Sequence, residues 1–273
     1  MVLINPVLKL ENLSFEYGKS KVFNKISFEL AAGGVFCLFG PNGCGKSTLI
    51  ECILGYLMPT SGNIFLNDKP ISQMKPTDLA KSIGYVPQSH TKNFPYKVID
   101  IVLMGRAAYT GTFSSPSTDD IAIAESALET LGLTHLRDKP YTQLSGGQTQ
   151  LVMLARALTQ ETPIILMDEP TAHLDFRHEL IILETIVKLV KEKNISIIMA
   201  THFPNHAFYF ENCGLNTKVA LMNNHAFEAI GNPTDVLTEA NMLRTFSIYS
   251  KLISTITLKN EQIKGLIPIE VAK

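Results

Sequence analysis

Nine consecutive residues carry the densest chemistry in the chain: Gly40-Pro41-Asn42-Gly43-Cys44-Gly45-Lys46-Ser47-Thr48. Their spacing is G-x-x-x-x-G-K-S. Gly40, Gly43 and Gly45 let a backbone wrap close to a polyphosphate, where a Cβ would collide. Successive N–H groups then converge on one anion. A helix starting near Gly45 adds its positive N-terminal end. Lys46 can reach β- and γ-phosphates, and the Ser47 hydroxyl can bind Mg²⁺. Such a loop binds a nucleoside triphosphate, and the use made of it must be read from the rest of the chain.

Three further polar residues or pairs follow apolar runs. Ile164-Ile165-Leu166-Met167 ends in Asp168-Glu169-Pro170, Ile195–Ala200 ends in Thr201-His202, and Ser82–Pro87 ends in Gln88. Asp168 can hold the Mg²⁺ shell. Glu169, taken as next on the strand, points the other way and can orient and polarise a water. Two acids could merely cap a strand end, but Pro170 and the loop upstream favour chemistry. His202 can donate to a γ-phosphate, and Gln88 can reach a bound ligand. His202 and His206 are four apart, yet Pro204 breaks the helix that would align them on a metal. Tyr17, before the turn at Gly18, is either a stacking platform for a base or an ordinary strand-end tyrosine.

These residues need an α/β frame to hold them. Partial alternation at residues 7–17 and at Ile26, Phe28 and Leu30 predicts strands of an antiparallel sheet. Val35–Phe39 reads as a buried strand and Ser47–Leu54 as a helix, the context that a phosphate loop requires. Pro59–Gly62 is a turn, and Ile64–Leu66 a strand. Residues 89–160 change character. Val98–Gly105 reads as a short helix, 111–117 as a loop, and Asp119-Asp120 as the opening of a helix with Ile121, Ala124, Leu128 and Leu131 on one face. Another helix is expected from about Gly147 to Leu158. Beyond these come a helix over 177–192, a hairpin over 217–230 around Asn223-Asn224, and helix from Pro233 to Phe246. The expected fold is α/β: one P-loop NTPase domain over 1–273, with a core of 1–88 and 161–246, an antiparallel β subdomain and an inserted α-helical subdomain at 89–160. Residues 247–273 have mixed patterning and no assigned element.

Bulk properties narrow the function. The 273 residues are 45% hydrophobic and carry a net charge of −1, so no broad field invites nucleic acid. The four cysteines, Cys37, Cys44, Cys52 and Cys213, form no C-x-x-C pair, which fits a reducing cytoplasm. Cys37 and Cys52 sit on apolar segments, and Cys44 in the loop suggests redox sensitivity or simply a tolerated position. No stretch approaches 18 apolar residues, and the N-terminus lacks a secretory pattern. Any membrane part is expected from another chain.

Leu144-Ser145-Gly146-Gly147-Gln148 stands twenty residues before Asp168 and opens a helix. With the phosphate loop, Gln88, the Ile164–Glu169 strand and His202 in this order, the chain resembles the ATPase subunits of ABC transporters, from residue 7 to about 235. The resemblance implies ATP and Mg²⁺ as cofactors, with Ser47, Gln88 and Asp168 on the metal. It implies Glu169 as general base, Tyr17 on adenine and His202 as the γ-phosphate switch. Ser145, Gly146, Gly147 and Gln148 would contact the γ-phosphate held by a second copy, with Asp175 at the dimer interface. Thr149 stands where Arg or Lys is common, which should weaken only a surface contact, and His173 stands where Ser or Asn is frequent.

Val98–Arg106 is similar to ATPases of importers for iron–siderophore, haem, cobalamin and related metal chelates. Thr112-Phe113 and Leu133–Leu136 are similar to the molybdate/tungstate type. The resemblance therefore implies a homodimer on the cytoplasmic face of the inner membrane, bound to polytopic permease subunits and serving a substrate-binding protein. Met104 and Arg106 are expected on the surface that receives the permease. The competing class is an ABC-type ATPase uncoupled from transport, such as a cluster-assembly ATPase. A translation factor would carry two cassettes, and a DNA-repair type would carry a long heptad insert; this chain has neither.

Overall fold

The structure is a computed structural model that describes residues 7–88, 90, 94–110, 114–172, 174–257 and 260–272. In chain order, β1 (Leu8–Tyr17), β2 (Ser20–Leu30) and β3 (Val35–Phe39) lead into α1 (Lys46–Ile53), β4 (Ser61–Leu66), β5 (Lys69–Pro70), α2 (Pro76–Ala80) and β6 (Ile83–Val86). Then come α3 (Val98–Leu103), α4 (Thr118–Thr130), α5 (Gly146–Leu158), β7 (Ile164–Asp168) and α6 (Phe176–Lys193). The chain finishes with β8 (Ser196–Thr201), α7 (Pro204–Asn212), β9 (Thr217–Asn223), β10 (Ala226–Gly231), α8 (Pro233–Val236), α9 (Glu239–Phe246), β11 (Ile248–Ile256) and β12 (Gln262–Val271). Two units are formed, one from residues up to 74 and from 187 onward, the other from 75–186.

In the first unit, β3 lies parallel to β8 on one side and to β9 on the other. Every residue of β3 and β8 is buried, as a parallel sheet covered on both faces requires. The register pairs Phe39 with Thr201. The loop after β3 and His202 after β8 therefore leave the same end of the sheet. β2, β1, β4 and β5 form the expected antiparallel sheet, with Leu8, Leu10 and Leu13 fully inside. Phe28 of β2 stacks on Phe36 of β3, ring centres 4.0 Å apart, so the two sheets of this unit share a core.

The C-terminal part of this unit departs from the sequence expectation. The β9–β10 turn is Asn224-His225, both at positive φ, one residue later than expected. This is the backbone that matches strand twist in a two-residue hairpin. The helix expected from Pro233 to Phe246 is broken, because Leu237 leaves helical geometry and Thr238 restarts the helix as cap of α9, accepting from Asn241 N–H. Residues 248–271 pair as the antiparallel hairpin β11–β12. Asn205 of α7 donates to Leu266 O and accepts from Leu266 N–H (3.2 and 2.8 Å). Asn212 does the same for Lys264 (3.0 and 3.1 Å).

In the second unit, β6 and β7 run parallel with Val86 opposite Met167. The expected helical insertion lies within this unit. α5 is buried on nearly every side, from Leu151 to Ala157, so α3 and α4 pack around it rather than beside it. The inward face of α4 carries Asp120, Ala124, Ala127 and Leu128, not Ile121, which is only half-buried. Ser117 is the cap: its hydroxyl accepts from Asp120 N–H, and Asp120 reaches back to Ser117 N–H.

Asp120 is inside because Arg106 is. Arg106 does not lie on an open docking surface, as the sequence suggested. A 3₁₀ turn over Met104–Ala108 follows α3 and carries the side chain inward. There its Nε donates to Asp120 Oδ1 (2.7 Å) and its Nη1 to Thr159 O and Glu161 Oε2 (both 2.8 Å). The Tyr109 ring covers the guanidinium at 4.0 Å. Met104, by contrast, is exposed.

The Arg106 hydrogen bond, helped by Ser117, holds the Asp120 carboxyl down at about 2 from its ordinary 3.8. A carboxylate depressed on folding stabilises above its unfolded pKa and loses that contribution as pH falls through the folded value. Stability should therefore drop between about pH 4 and pH 2. Asp120→Asn should remove this part of the acid dependence. Arg106→Met, which strands a buried carboxylate, should lower Tm at pH 7 by more than about 5 °C. Melting curves from pH 2 to 7 check both.

Candidate functional site

The phosphate loop begins where β3 ends and closes at α1. Gly43 and Gly45 have φ of 76° and 103°. A β-carbon at Gly45 would lie 2.7 Å from Val22 Cγ1, so both the torsion and the space demand glycine. Nothing stands within 4 Å of the β-carbon position of Gly43, which leaves that side of the loop open. Gly40 is buried, whereas Asn42 and Ser47 are exposed. Lys46 is only 5% exposed, and its ammonium donates to Gly40 O and Pro41 O (2.9 and 3.0 Å). The cation is thus held inside its own loop by two carbonyls. The group types suit a polyphosphate, since a helix start, two glycines at positive φ and one lysine ammonium stand together in nine residues.

Cys44 Sγ lies 3.9 Å from Lys46 Nζ. Burial nevertheless pushes this thiol up, despite the lowering effect of Lys46, so it is not an activated thiolate. Cys37 and Cys52 are fully buried and pushed up to about 12.

Two other expected residues belong to this unit. Tyr17 is 54% exposed at the end of β1, braced edge-on by Phe15 at 4.8 Å. His202 is half-buried just past β8. The Thr201 hydroxyl accepts from Phe203 N–H (3.0 Å) and is hydrogen-bonded to His206 Nδ1 (2.7 Å), which fixes the turn that carries His202. Pro204 does not interrupt a helix here but opens α7. His206 lies within that helix and His202 lies before it, so they share no helix face. Among the described residues, no group of three or more His, Cys, Asp or Glu could hold a metal.

The second unit places the remaining residues. Asp168 is buried as the last residue of β7. Glu169 is not a further strand residue: its φ is 48°, so the chain leaves the sheet at that residue. A glutamate in this region is strained, and such strain gathers at functional positions. With Val86 opposite Met167, two more residues on each chain bring Gln88 to Glu169. Gln88 Nε2 donates to Glu169 Oε2 at 2.7 Å.

The serine of the Leu144–Gln148 segment has a second task. Its hydroxyl accepts from Gln148 N–H (3.3 Å), and Gln148 Oε1 accepts from Ser145 N–H (3.2 Å). S-x-x-Q is therefore also a capping box, which local spacing alone could have shown. Thr149 is not a surface residue. It is buried, and its hydroxyl donates to Ser145 O (2.8 Å). Asp175 caps α6 by accepting from His178 N–H (2.9 Å). His173 and Thr112-Phe113 lie outside the described residues.

The family profile described as ABC transporter matches residues 23–172. The chain is 37% identical to the molybdate import ATP-binding protein MolC of Haemophilus influenzae, over 90% of each chain. It is 32% identical to the iron(3+)-hydroxamate import ATP-binding protein FhuC of Bacillus subtilis, again over 90% of each. Among solved structures, a chain of an inward-facing transporter described as metal-chelate type superposes with a TM-score of 0.85. That match covers 97% of this chain and 98% of the other, at 34% identity.

Gly45→Ala should weaken binding of a fluorescent nucleotide more than tenfold, since the left-handed torsion costs about 1–3 kcal/mol and the new methyl meets Val22. Gly43→Ala bears the torsional cost without that clash, so its Tm should fall less. Nucleotide titration and thermal melts test this, and wild-type affinity in Gly45→Ala would remove the loop from the site.

Proposed function

Because this chain belongs to the ABC transporter family, we propose that it is the ATP-binding and ATP-hydrolysing subunit of an ABC importer. The observation that carries the reading is the phosphate loop, with Lys46 turned inward among Gly40, Pro41 and the first turn of α1. The full-length similarity to import ATPases supports the link to transport. The solute is a metal chelate, such as an iron–siderophore, haem or cobalamin complex, or an oxyanion of the molybdate and tungstate type. Relatives of both kinds stand at similar distance.

The site roles follow the family resemblance residue by residue. The loop from Gly40 to Thr48 binds the phosphates through the N–H groups of its residues other than Pro41 and through the Lys46 ammonium, with Lys46 exchanging its two carbonyl partners for phosphate oxygens. Ser47, Gln88 and Asp168 would hold Mg²⁺, which would supply charge neutralisation to the bound phosphates. Glu169 accepts the proton of the attacking water. Gln88 bonds one oxygen of that carboxylate and so sets its direction. His202 donates to the γ-phosphate, and exposed Tyr17 stacks on adenine.

Partners follow from the same reading. One triphosphate has one γ-phosphate, yet the chain has two anion-binding helix starts, at Lys46 and at Gly146. The second, with Ser145, Gly147 and Gln148, closes on the nucleotide of a second copy, and Asp175 lies at that interface. No helix among the described residues is long and apolar enough to cross a membrane. Polytopic permease subunits, fed by a substrate-binding protein, hold the homodimer on the cytoplasmic face of the inner membrane. Phe94, Tyr96 and Met104, all exposed around α3, form the receiving surface.

Lys46→Ala should abolish ATP hydrolysis, measured as phosphate release, since no other side-chain cation is held within the loop. Glu169→Gln should sediment as a dimer with Mg²⁺ and ATP but as a monomer with ADP, and adding Ser145→Arg should dissolve that dimer. Hydrolysis by Lys46→Ala, or a dimer indifferent to nucleotide, would sink the reading. For the permease surface, Met104→Glu expressed in the native host should move from the membrane fraction to the supernatant, whereas Lys46→Ala should stay with the membrane.

A further inference from the structure

His178 touches two segments at once. On one side, its backbone N–H donates to Asp175 Oδ1 (2.9 Å), and its ring Nδ1 lies 2.9 and 3.0 Å from the two carboxylate oxygens. A carboxylate only accepts, so Nδ1 carries the hydrogen. On the other side, the ring lies against the bare backbone of Gly147. A β-carbon there would fall 2.5 Å from His178 Cγ and 3.0 Å from its Cβ. Glycine at 147 is thus required by the imidazole, whereas the β-carbon position of neighbouring Gly146 has nothing within 4 Å.

We propose that His178 is a positioning residue that couples Asp175 to the first turn of α5, so that both are offered to the second copy as one rigid edge. The inference rests on the pairing reading above. Asp175 is the more exposed partner: its side chain is 67% exposed and is held chiefly by His178, through the backbone N–H and the ring. Those bonds also hold its carboxyl below the ordinary range, the backbone N–H first and the ring second. Ser145 and Gln148 are already locked to each other by the capping box. The ring therefore completes a continuous series of contacts from Asp175 through Gly147 to Ser145. Both halves of the imidazole contribute, since a donor without a ring leaves Gly147 uncovered and a ring without a donor leaves Asp175 to the backbone N–H alone. A group that closes on a γ-phosphate must be placed to a fraction of an ångström, because an error of about 1 Å costs on the order of a hundredfold in rate.

The test uses the full chain with His178→Asn (donor kept, ring lost), His178→Phe (ring kept, donor lost) and His178→Ala. Each should lower kcat for ATP about tenfold or more. Nucleotide affinity at the phosphate loop, in the other unit, should stay within about twofold of wild type, and each should weaken the ATP-dependent dimer of Glu169→Gln. Gly147→Ala should be crippled, and His178→Ala should partly restore it by removing Cγ and the rest of the ring from the space that the new methyl needs. This is a coupling of opposite sign to simple addition of losses. If the losses add, or if Tm and nucleotide affinity fall in step with kcat, His178 is merely structural and the proposal is overturned. Should His178→Ala fail to fold, the Asn and Phe variants decide the question in its place through kcat, Tm and nucleotide affinity. If Glu169→Gln does not pair with ATP, the pairing reading falls and this inference with it. If it pairs and the His178 variants pair as well, this inference alone falls.

Discussion

Parallel pairing governs where chemistry can occur in this chain. Parallel strands all leave a sheet at one end, and their register decides which residues leave together. Phe39 opposite Thr201 puts the phosphate loop and His202 at the same level of one sheet. Val86 opposite Met167 puts Gln88 against Glu169. A slip of one residue in either pair would turn each side chain to the opposite face and dissolve the placement. The largely apolar strands forbid that slip, because any displacement drives buried Val, Ile, Leu or Met side chains against new neighbours in a close-packed interior.

Most of this frame was legible in the residues. The apolar runs Val35–Phe39 and Ile164–Met167, each closed by polar or glycine residues, read as strands because length and punctuation agree. The phosphate loop was legible for a different reason: its glycines answer to local torsion and close approach, which spacing records directly. Ser145 and Gln148 were recognised for one role and missed for another, although S-x-x-Q is as local a signal as any in the chain. Glu169 was misplaced by one step, because nothing in an apolar run followed by two acids says which of them turns out of the sheet.

What stayed hidden depends on residues far apart in sequence. Arg106 reads as a surface cation until Asp120, Thr159 and Glu161 are known to surround it, at separations of 14, 53 and 55 residues. A charge can be buried only when partners are placed against it, and no window of sequence shows both. Thr149 is the local exception, its hydroxyl bonded to Ser145 O one helical turn back. The helix break at Leu237-Thr238 was obscured by propensity, since threonine both interrupts one helix and caps the next. The tail over 248–271 alternates weakly because little of it is buried: among its described residues only Ser250 and Leu266 are inside, with α9 packed on β11 and α7 on β12.

The two asparagines of α7 give that tail its alignment. A side-chain amide presents one donor and one acceptor, as a peptide group does. Asn205 and Asn212 therefore meet β12 much as a third strand would, at residues 266 and 264. Along an extended strand, only alternate residues turn their N–H and C=O to a given side. Moving β12 by one residue would leave both amides facing positions with nothing to give or accept, so the hairpin can sit in steps of two and no other. The same contacts cover the row of peptide groups at that edge, which in an open ribbon would invite a strand from a neighbouring molecule. A helix thus closes the end of the chain to unwanted addition, with two uncharged side chains set seven residues apart.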